Sequence, residues 1–218
     1  MVVLCDFDAT ITTFDTAEFT LDKFAQGNWK AIDKLFEEGK ITLEDCLKRE
    51  FAMVHASRQQ ILEALGETMD FRPNFPDLID YCRDNSVPLV IVSAGLDFVI
   101  ANYLKIKHWA RFVETYTART RFTRKGIEFD FPVPFDKTTV NFKQDLVRQY
   151  KAKGTTIAYV GDGSGDFDAA RESDFVFAIK DSKLAELCKK HDVRFVSILD
   201  FNEVVRTLRK IKPTARSR

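Results

Sequence analysis

Val2-Val3-Leu4-Cys5-Asp6-Phe7-Asp8-Ala9-Thr10 is the stretch on which the reading of the whole chain turns. Its apolar start, with two β-branched valines, predicts a buried strand over residues 2–7. Two aspartates stand where that strand ends. Open α/β sheets gather their chemistry at the carboxyl ends of parallel strands. Side chains two apart in a strand face the same way, so Asp6 and Asp8 can converge on one point. Two such carboxylates can hold a hard cation and can divide nucleophilic and acid–base work between them. A polar turn leaving a strand, or an Asp-x-Asp metal site of the sugar-transferase kind, would leave the same short pattern.

Other apolar runs predict buried strands over residues 88–93, 156–160, 175–179 and 194–198. Helical spacing lies between most of them. Leu146, Val147 and Tyr150 share one face of a helix beginning near Phe142, and Phe98, Asn102, Tyr103 and Ile106 mark another after Gly95. Strands alternating with helices predict an α/β fold: a Rossmann-like, mainly parallel sheet with helices on both faces.

Two segments break the rhythm. Residues 14–72 contain no strand pattern but four amphipathic stretches, at 16–26, 29–37, 43–54 and 57–65. A βαβ unit needs only ~30 residues, so the surplus predicts a small helical cap (14–72) inserted into a core made of residues 1–13 and 73–218. The second break, 112–132, carries Thr115-Tyr116-Thr117 and Phe122 before Arg124-Lys125-Gly126, then alternating Ile127, Phe129 and Phe131. That pattern predicts an antiparallel hairpin, as a flap or sheet edge. The tail, 212–218, has no periodicity and is expected to fray.

The chain has 218 residues, 45% hydrophobic and 30% charged, a globular composition. Thirty-three basic residues balance thirty-three acidic ones, so no net field recruits nucleic acid or an anionic membrane. No apolar run reaches the ~20 residues of a membrane span. Cys5, Cys46, Cys82 and Cys188 form no Cys-x-x-Cys pair and are expected to be reduced, in a cytoplasmic protein. Oligomeric state is left open.

Three further motifs bear on chemistry. Residues 88–93 end in Ser93, followed by Ala94-Gly95 and a helix. Backbone N–H groups at such a turn form an anion site, to which Ser93 adds a hydroxyl. Gly161-Asp162-Gly163-Ser164-Gly165-Asp166 again ends a strand in carboxylates, suited to a divalent cation and the groups behind it. Lys143 begins the helix before that motif, and Lys137 lies in the loop ahead of it. A fixed ammonium at either position can stabilise phosphoryl charge.

The order Asp6-x-Asp8-x-Thr10, Ser93, Lys143, Gly161-Asp162-x-x-x-Asp166 resembles the haloacid dehalogenase superfamily of phosphatases. Within it, the chain looks like the phosphoserine-phosphatase-like branch. Asp-x-Asp-x-Thr-Ile-Thr and Val-Ser-Ala-Gly-Leu-Asp-Phe are most similar to the phosphatase of methionine salvage that acts on a methylthiopentenyl phosphate. The resemblance implies that Asp6 attacks phosphorus and that Asp8 is the acid and base. It implies a magnesium ion, Mg2+, bound by the Asp6 carboxylate, the Asp8 backbone carbonyl and Asp162, with Asp166 in or just behind that set. Thr10, Ser93, Ala94 and Lys143 would hold the phosphoryl group or order its loop. The implied substrate is a small phosphorylated metabolite. Phosphoserine hydrolysis, phosphoryl transfer to an alcohol and phosphometabolite binding without catalysis are the alternatives.

Two departures from the resemblance stand out. Ala9 occupies a usual glycine position. Glu50 stands where the serine phosphatases have an arginine, and Arg49 projects ~100° away on the same helix, which argues against a substrate carboxylate at the cap. Asp15 and Phe19, one helical turn apart, are the candidates for selecting the substrate. Asp15 could equally be a helix N-cap.

Overall fold

The computed structural model describes residues 1–66 and 69–211. The expected fraying over 212–218 lies outside the described residues. The chain opens with β1 (Val2–Cys5) and runs through α1 (Thr16–Phe24), α2 (Trp29–Glu37), α3 (Leu43–Phe51) and α4 (Arg58–Gly66). Then come α5 (Phe75–Asp84), β2 (Leu89–Ser93), α6 (Asp97–Ile106) and β3 (Glu114–Thr117), followed by β4 (Arg119–Thr123) and β5 (Gly126–Asp130). The last third alternates α7 (Phe142–Ala152), β6 (Ile157–Gly161), α8 (Phe167–Arg171), β7 (Phe175–Ile179), α9 (Lys183–Lys190), β8 (Val196–Ile198) and α10 (Phe201–Lys210).

Six strands form one parallel sheet in the order β3-β2-β1-β6-β7-β8. The two-residue period of the strands explains its two covered faces. Val2 and Leu4 pack on one side with Phe142, Leu146, Ala169 and Leu184, from α7, α8 and α9. Val3 and Cys5 pack on the other with Leu78, Val99 and Val204, from α5, α6 and α10. Every residue of β1 is fully buried. Each such large apolar side chain contributes on the order of 1.5–3 kcal/mol, which is why these runs read as continuously hydrophobic. The four cysteines are free and buried. No helix among the described residues is long and apolar enough to cross a membrane.

The chain leaves β1 to pair with β2 on one side and β6 on the other, so β1 ends at the crevice where the strand order reverses. The regular strand stops at Cys5. Only the Asp6 amide continues the ladder, donating to the Val160 carbonyl at 2.9 Å. Asp6 and Asp8 therefore stand just beyond the strand rather than within it.

The segment carrying α1–α4 leaves and returns at a narrow neck. Thr12 and Phe71 form an antiparallel bridge, and the Arg72 amide donates to the Ile11 carbonyl at 2.8 Å.

The hairpin expectation needs correction. Thr115-Tyr116-Thr117 is no hairpin arm: it belongs to β3, the edge of the main sheet, paired in parallel with β2. Its polar, half-exposed residues suit an edge. The true hairpin is β4–β5, with its turn at Arg124-Lys125. It buttresses the inserted helices: Phe129 packs edge-on to Phe51 with ring centroids 5.2 Å apart. Gly126, at φ 101°, lies so close to the Ala52 carbonyl that a β-carbon would collide with it.

Candidate active site

The carboxyl ends of β1, β2 and β6 and the start of α7 bring four sequence motifs together. Asn141 caps α7, accepting from the Gln144 amide at 3.0 Å, and its side-chain amide donates to the Gly165 carbonyl at 3.1 Å. That cap aims the first turn of α7 at the sheet. Lys143, only 4% exposed, reaches Asp6 Oδ1 at 3.0 Å and Asp166 Oδ1 at 2.7 Å. Burial alone would lower its pKa, but the charges of Asp166 and Asp6 hold it above the ordinary lysine value. Lys137 is exposed in the preceding loop.

Asp166 has all its close partners already. Oδ1 accepts from Lys143 and from the Tyr159 hydroxyl at 2.7 Å, and Oδ2 accepts from the Asp162 and Gly163 amides, both at 3.0 Å. It fixes the turn carrying Asp162 and orients Lys143. Asp162 is held in turn by the Thr10 hydroxyl, which donates to Oδ1 at 2.8 Å. Thr10 thus acts on the Gly161–Asp166 motif, at the end of the neighbouring strand β6.

Asp8 faces a different set of donors. The Thr16 amide donates to Oδ1 at 2.9 Å, and the Thr16 hydroxyl makes a very short contact with the same atom. The Ser93 hydroxyl reaches Oδ2 at 3.5 Å, and the Gly95 amide donates to Ser93 Oγ at 3.0 Å. Burial, with the Asp15 charge second, pushes the Asp8 carboxyl up to about 7 despite the Thr16 donors. Such a group can carry or release a proton near neutrality. Asp6 is also raised, first by burial and then by Asp166, with Lys143 opposing.

Oxygens of Asp6, Asp162 and Asp166 lie within 4.8 Å of one another. Asp6 Oδ1 is buried and receives no directed hydrogen bond from any described residue, although the Lys143 charge is near. An all-carboxylate, hard-oxygen donor set with an underused buried oxygen fits a divalent cation such as magnesium. Asp6 and Asp162 have the free capacity; Asp166 lacks it and stands behind them.

These groups floor a cavity of about 400 Å³ whose walls include Ser93, Ala94 and Gly95 from the core and Asp15, Trp29 and Glu50 from the inserted helices. Asp15 lines the cavity and also caps α1, accepting from the Glu18 amide at 2.8 Å. Phe19 is not among the lining residues: its ring packs edge-on to Phe14 at 6.0 Å. One helical turn carries it past the mouth and into the packing, and Glu18 faces the cavity instead.

A family model described as haloacid dehalogenase-like hydrolase matches residues 3–171. The chain belongs to that family. Haloacid dehalogenase-like hydrolases similar to this one over nearly their full length include a 2-hydroxy-3-keto-5-methylthiopentenyl-1-phosphate phosphatase of Brevibacillus brevis, 27% identical over 97% of this chain and 96% of that protein. The Pdp3-interacting factor 1 of Schizosaccharomyces pombe is 25% identical over 97% of this chain and 96% of its own. A solved substrate-bound phosphoserine phosphatase shares the fold of this hydrolase, with a TM-score of 0.71, 18% identity and coverage of 94% of this chain and 97% of that one.

Several residues that shape the hydrolase site carried no signal in the sequence. Thr16, which donates twice to Asp8, reads as an ordinary helix start. Tyr159 reads as strand core, yet its hydroxyl holds Asp166. Arg72 donates to the Thr10 carbonyl at 2.8 Å, the Ala9 carbonyl at 2.7 Å and the Leu199 carbonyl at 3.2 Å, fixing the loop after Asp8. Ala9 itself has φ 51°, the left-handed region that favours glycine.

Proposed function

We propose that the chain is a magnesium-dependent phosphomonoesterase acting on a small phosphorylated metabolite through an aspartyl phosphate on Asp6. The observation that carries this reading is the pairing of Asp6 and Asp8 at the end of β1, with the Lys143 ammonium 3.0 Å from Asp6 Oδ1. An Asp6 oxygen would attack phosphorus while the bond to the leaving alkoxide breaks, and Asp8 would give that alkoxide its proton. Water would then attack the aspartyl phosphate, pass a proton to Asp8 and release inorganic phosphate and the Asp6 carboxylate.

Lys143 offsets the repulsion between Asp6 and an anionic phosphate. Ser93 and Ala94 supply donors on the opposite wall. A magnesium ion held by Asp6, the Asp8 carbonyl and Asp162 would add charge neutralisation at the phosphoryl oxygens. The core is taken as residues 1–13 and 73–218, with 14–72 as a cap over the leaving group. The neck at Thr12 and Phe71 supports that division.

The test is phosphate release from p-nitrophenyl phosphate with magnesium, then in excess chelator. Chelation should abolish turnover and magnesium should restore it; full turnover in chelator would exclude the metal-dependent route. Asp6→Asn should form no phosphoenzyme by intact-protein mass. Asp8→Asn should slow turnover by ~10²–10⁴-fold, the usual worth of a general acid–base. Adding an alcohol acceptor separates hydrolysis from transfer. The methylthiopentenyl phosphate named for the Brevibacillus brevis relative belongs in the first substrate screen, beside phosphoserine.

A further inference from the structure

The cap side of the cavity is acidic. Asp15, Glu18, Asp33, Glu37 and Glu50 all line it, and no lysine or arginine of the inserted helices does. Among the described residues, none of the five carboxylates joins an ion pair. The lining ammonium, Lys143, is already engaged by Asp6 and Asp166.

Glu50 is the decisive member. It is 4% exposed, lines the cavity, and its Oε1 has no hydrogen-bond donor among the described residues. Atoms of Glu50, Asp33 and Cys46 lie within 4.8 Å of one another, so the neighbours add negative charge and no cation. Arg49, next in sequence, is exposed and outside the lining. A buried carboxylate with one oxygen lacking a donor, and no cation beside it, calls for a partner that the protein does not supply. Trp29 and Phe36 share the same wall, and aromatic rings also favour a positive guest.

We propose that the alcohol half of the substrate carries an ammonium group, bound by Glu50 and Asp33 above the phosphoryl site, so that the substrate class is an aminoalkyl phosphomonoester. The proposal rests on the phosphomonoesterase reading and names its substrate. A phosphoester bearing a carboxylate on the leaving side would meet a wall of acidic groups with no lysine or arginine of the inserted helices among them. A metal ion at Glu50 is the poorer occupant: burial first, then the Glu50 charge, holds the Cys46 thiol well above its ordinary value, which disfavours the thiolate a metal needs. The cavity is also continuous with Asp6 and Asp8, so one guest can touch both ends.

The experiment compares kcat/KM, with magnesium, for 2-aminoethyl phosphate, 2-hydroxyethyl phosphate and phosphoglycolate, alongside p-nitrophenyl phosphate. The ammonium ester should exceed its hydroxyl counterpart by about tenfold or more, the size of one charge-assisted hydrogen bond. The difference should lie in KM, and phosphoglycolate should be the poorest substrate. Glu50→Gln should bring the ammonium-to-hydroxyl ratio toward one. Asp33→Asn should lower it in part, and serves if Glu50→Gln does not fold. Turnover of p-nitrophenyl phosphate without preference for the ammonium ester would overturn the inference and leave the phosphomonoesterase intact. A higher kcat/KM for phosphoglycolate or for the methylthiopentenyl phosphate would do the same. No phosphate release from any ester would overturn both.

Discussion

A β-carbon on Gly95 would collide with Asp8 Oδ2 and stand 3.1 Å from Asp8 Cγ. The glycine is demanded by space, because its φ is not in the left-handed region. Gly95→Ala should therefore fold with little strain in its own backbone and still displace the Asp8 carboxylate. Turnover of p-nitrophenyl phosphate should fall by ~10²-fold or more, the lower end of what a misplaced acid–base costs. Steady-state kinetics beside a thermal melt would check this. A variant with normal turnover would mean that Asp8 tolerates the shift and is not held where its chemistry needs it.

The two lysines should differ sharply. Lys143→Ala leaves two buried carboxylates, Asp6 and Asp166, without their shared cation. Breaking one partner out of a buried pair costs about 3–5 kcal/mol, so both stability and activity should drop. Lys137 is exposed in a loop, and its replacement by alanine should change stability by within ~0.5 kcal/mol. Denaturant melts of both variants decide the matter, and equal losses would refute the ranking.

Asp15 and Phe19 should now separate by mechanism. Asp15→Ala removes the cap of α1, worth about 1 kcal/mol, and also a carboxylate at the cavity wall. Its kcat/KM loss should depend on the substrate. Phe19→Ala removes packing against Phe14, at a cost of ~1–3 kcal/mol, and should weaken all substrates alike. A substrate-dependent loss for Phe19→Ala would return that ring to the site.

Glu50 should leave a signature in the pH dependence of stability. Burial pushes its carboxyl up to about 7, against an opposing Cys46 hydrogen bond, and the Asp33 and Asp15 charges add to the rise. In the unfolded chain a glutamate releases its proton near ~4.3. Between those values the folded state binds the extra proton, so this contribution to stability falls as pH rises from about 4.3 to about 7, then stays constant. Melting temperatures of wild type and Glu50→Gln should draw apart across that window, with the variant gaining at the alkaline end. Parallel curves from pH 4 to 8 (about the span of that titration) would show that Glu50 titrates as an ordinary surface acid.

The sheet was readable in the sequence because a doubly covered parallel strand must be apolar on both sides. Four of the six strands of the main sheet announced themselves that way, and β8, the far edge, was read from its apolar run although Val196 and Ser197 are exposed. The sixth, β3, was misread as a hairpin arm: an edge strand packs fewer neighbours, so Glu114-Thr115-Tyr116-Thr117 kept polar residues that look like hairpin alternation. Asp6, Asp8, Asp162, Ser93 and Lys143 were legible because each sits beside a strand end or helix start. Thr16, Tyr159 and Arg72 were not, since each acts through a contact whose partner is distant in the chain or hidden in a common pattern. Phe19 was misjudged by its spacing from Asp15. A helix of nine residues has only one stripe toward a cavity, and Phe19 lies off it.

Arg72 ties three stretches of chain at one guanidinium: the loop at Ala9 and Thr10, its own position at the end of the inserted segment, and Leu199 just beyond β8. The consequence is temporal. During synthesis the loop bearing Asp8 is made well before one of its anchors is complete, because Arg72 reaches a carbonyl 127 residues further along the chain. Contacts of such wide sequence separation form late. A nascent chain released before Leu199 would carry every residue of the four motifs while Arg72 still lacked one of its three carbonyl acceptors.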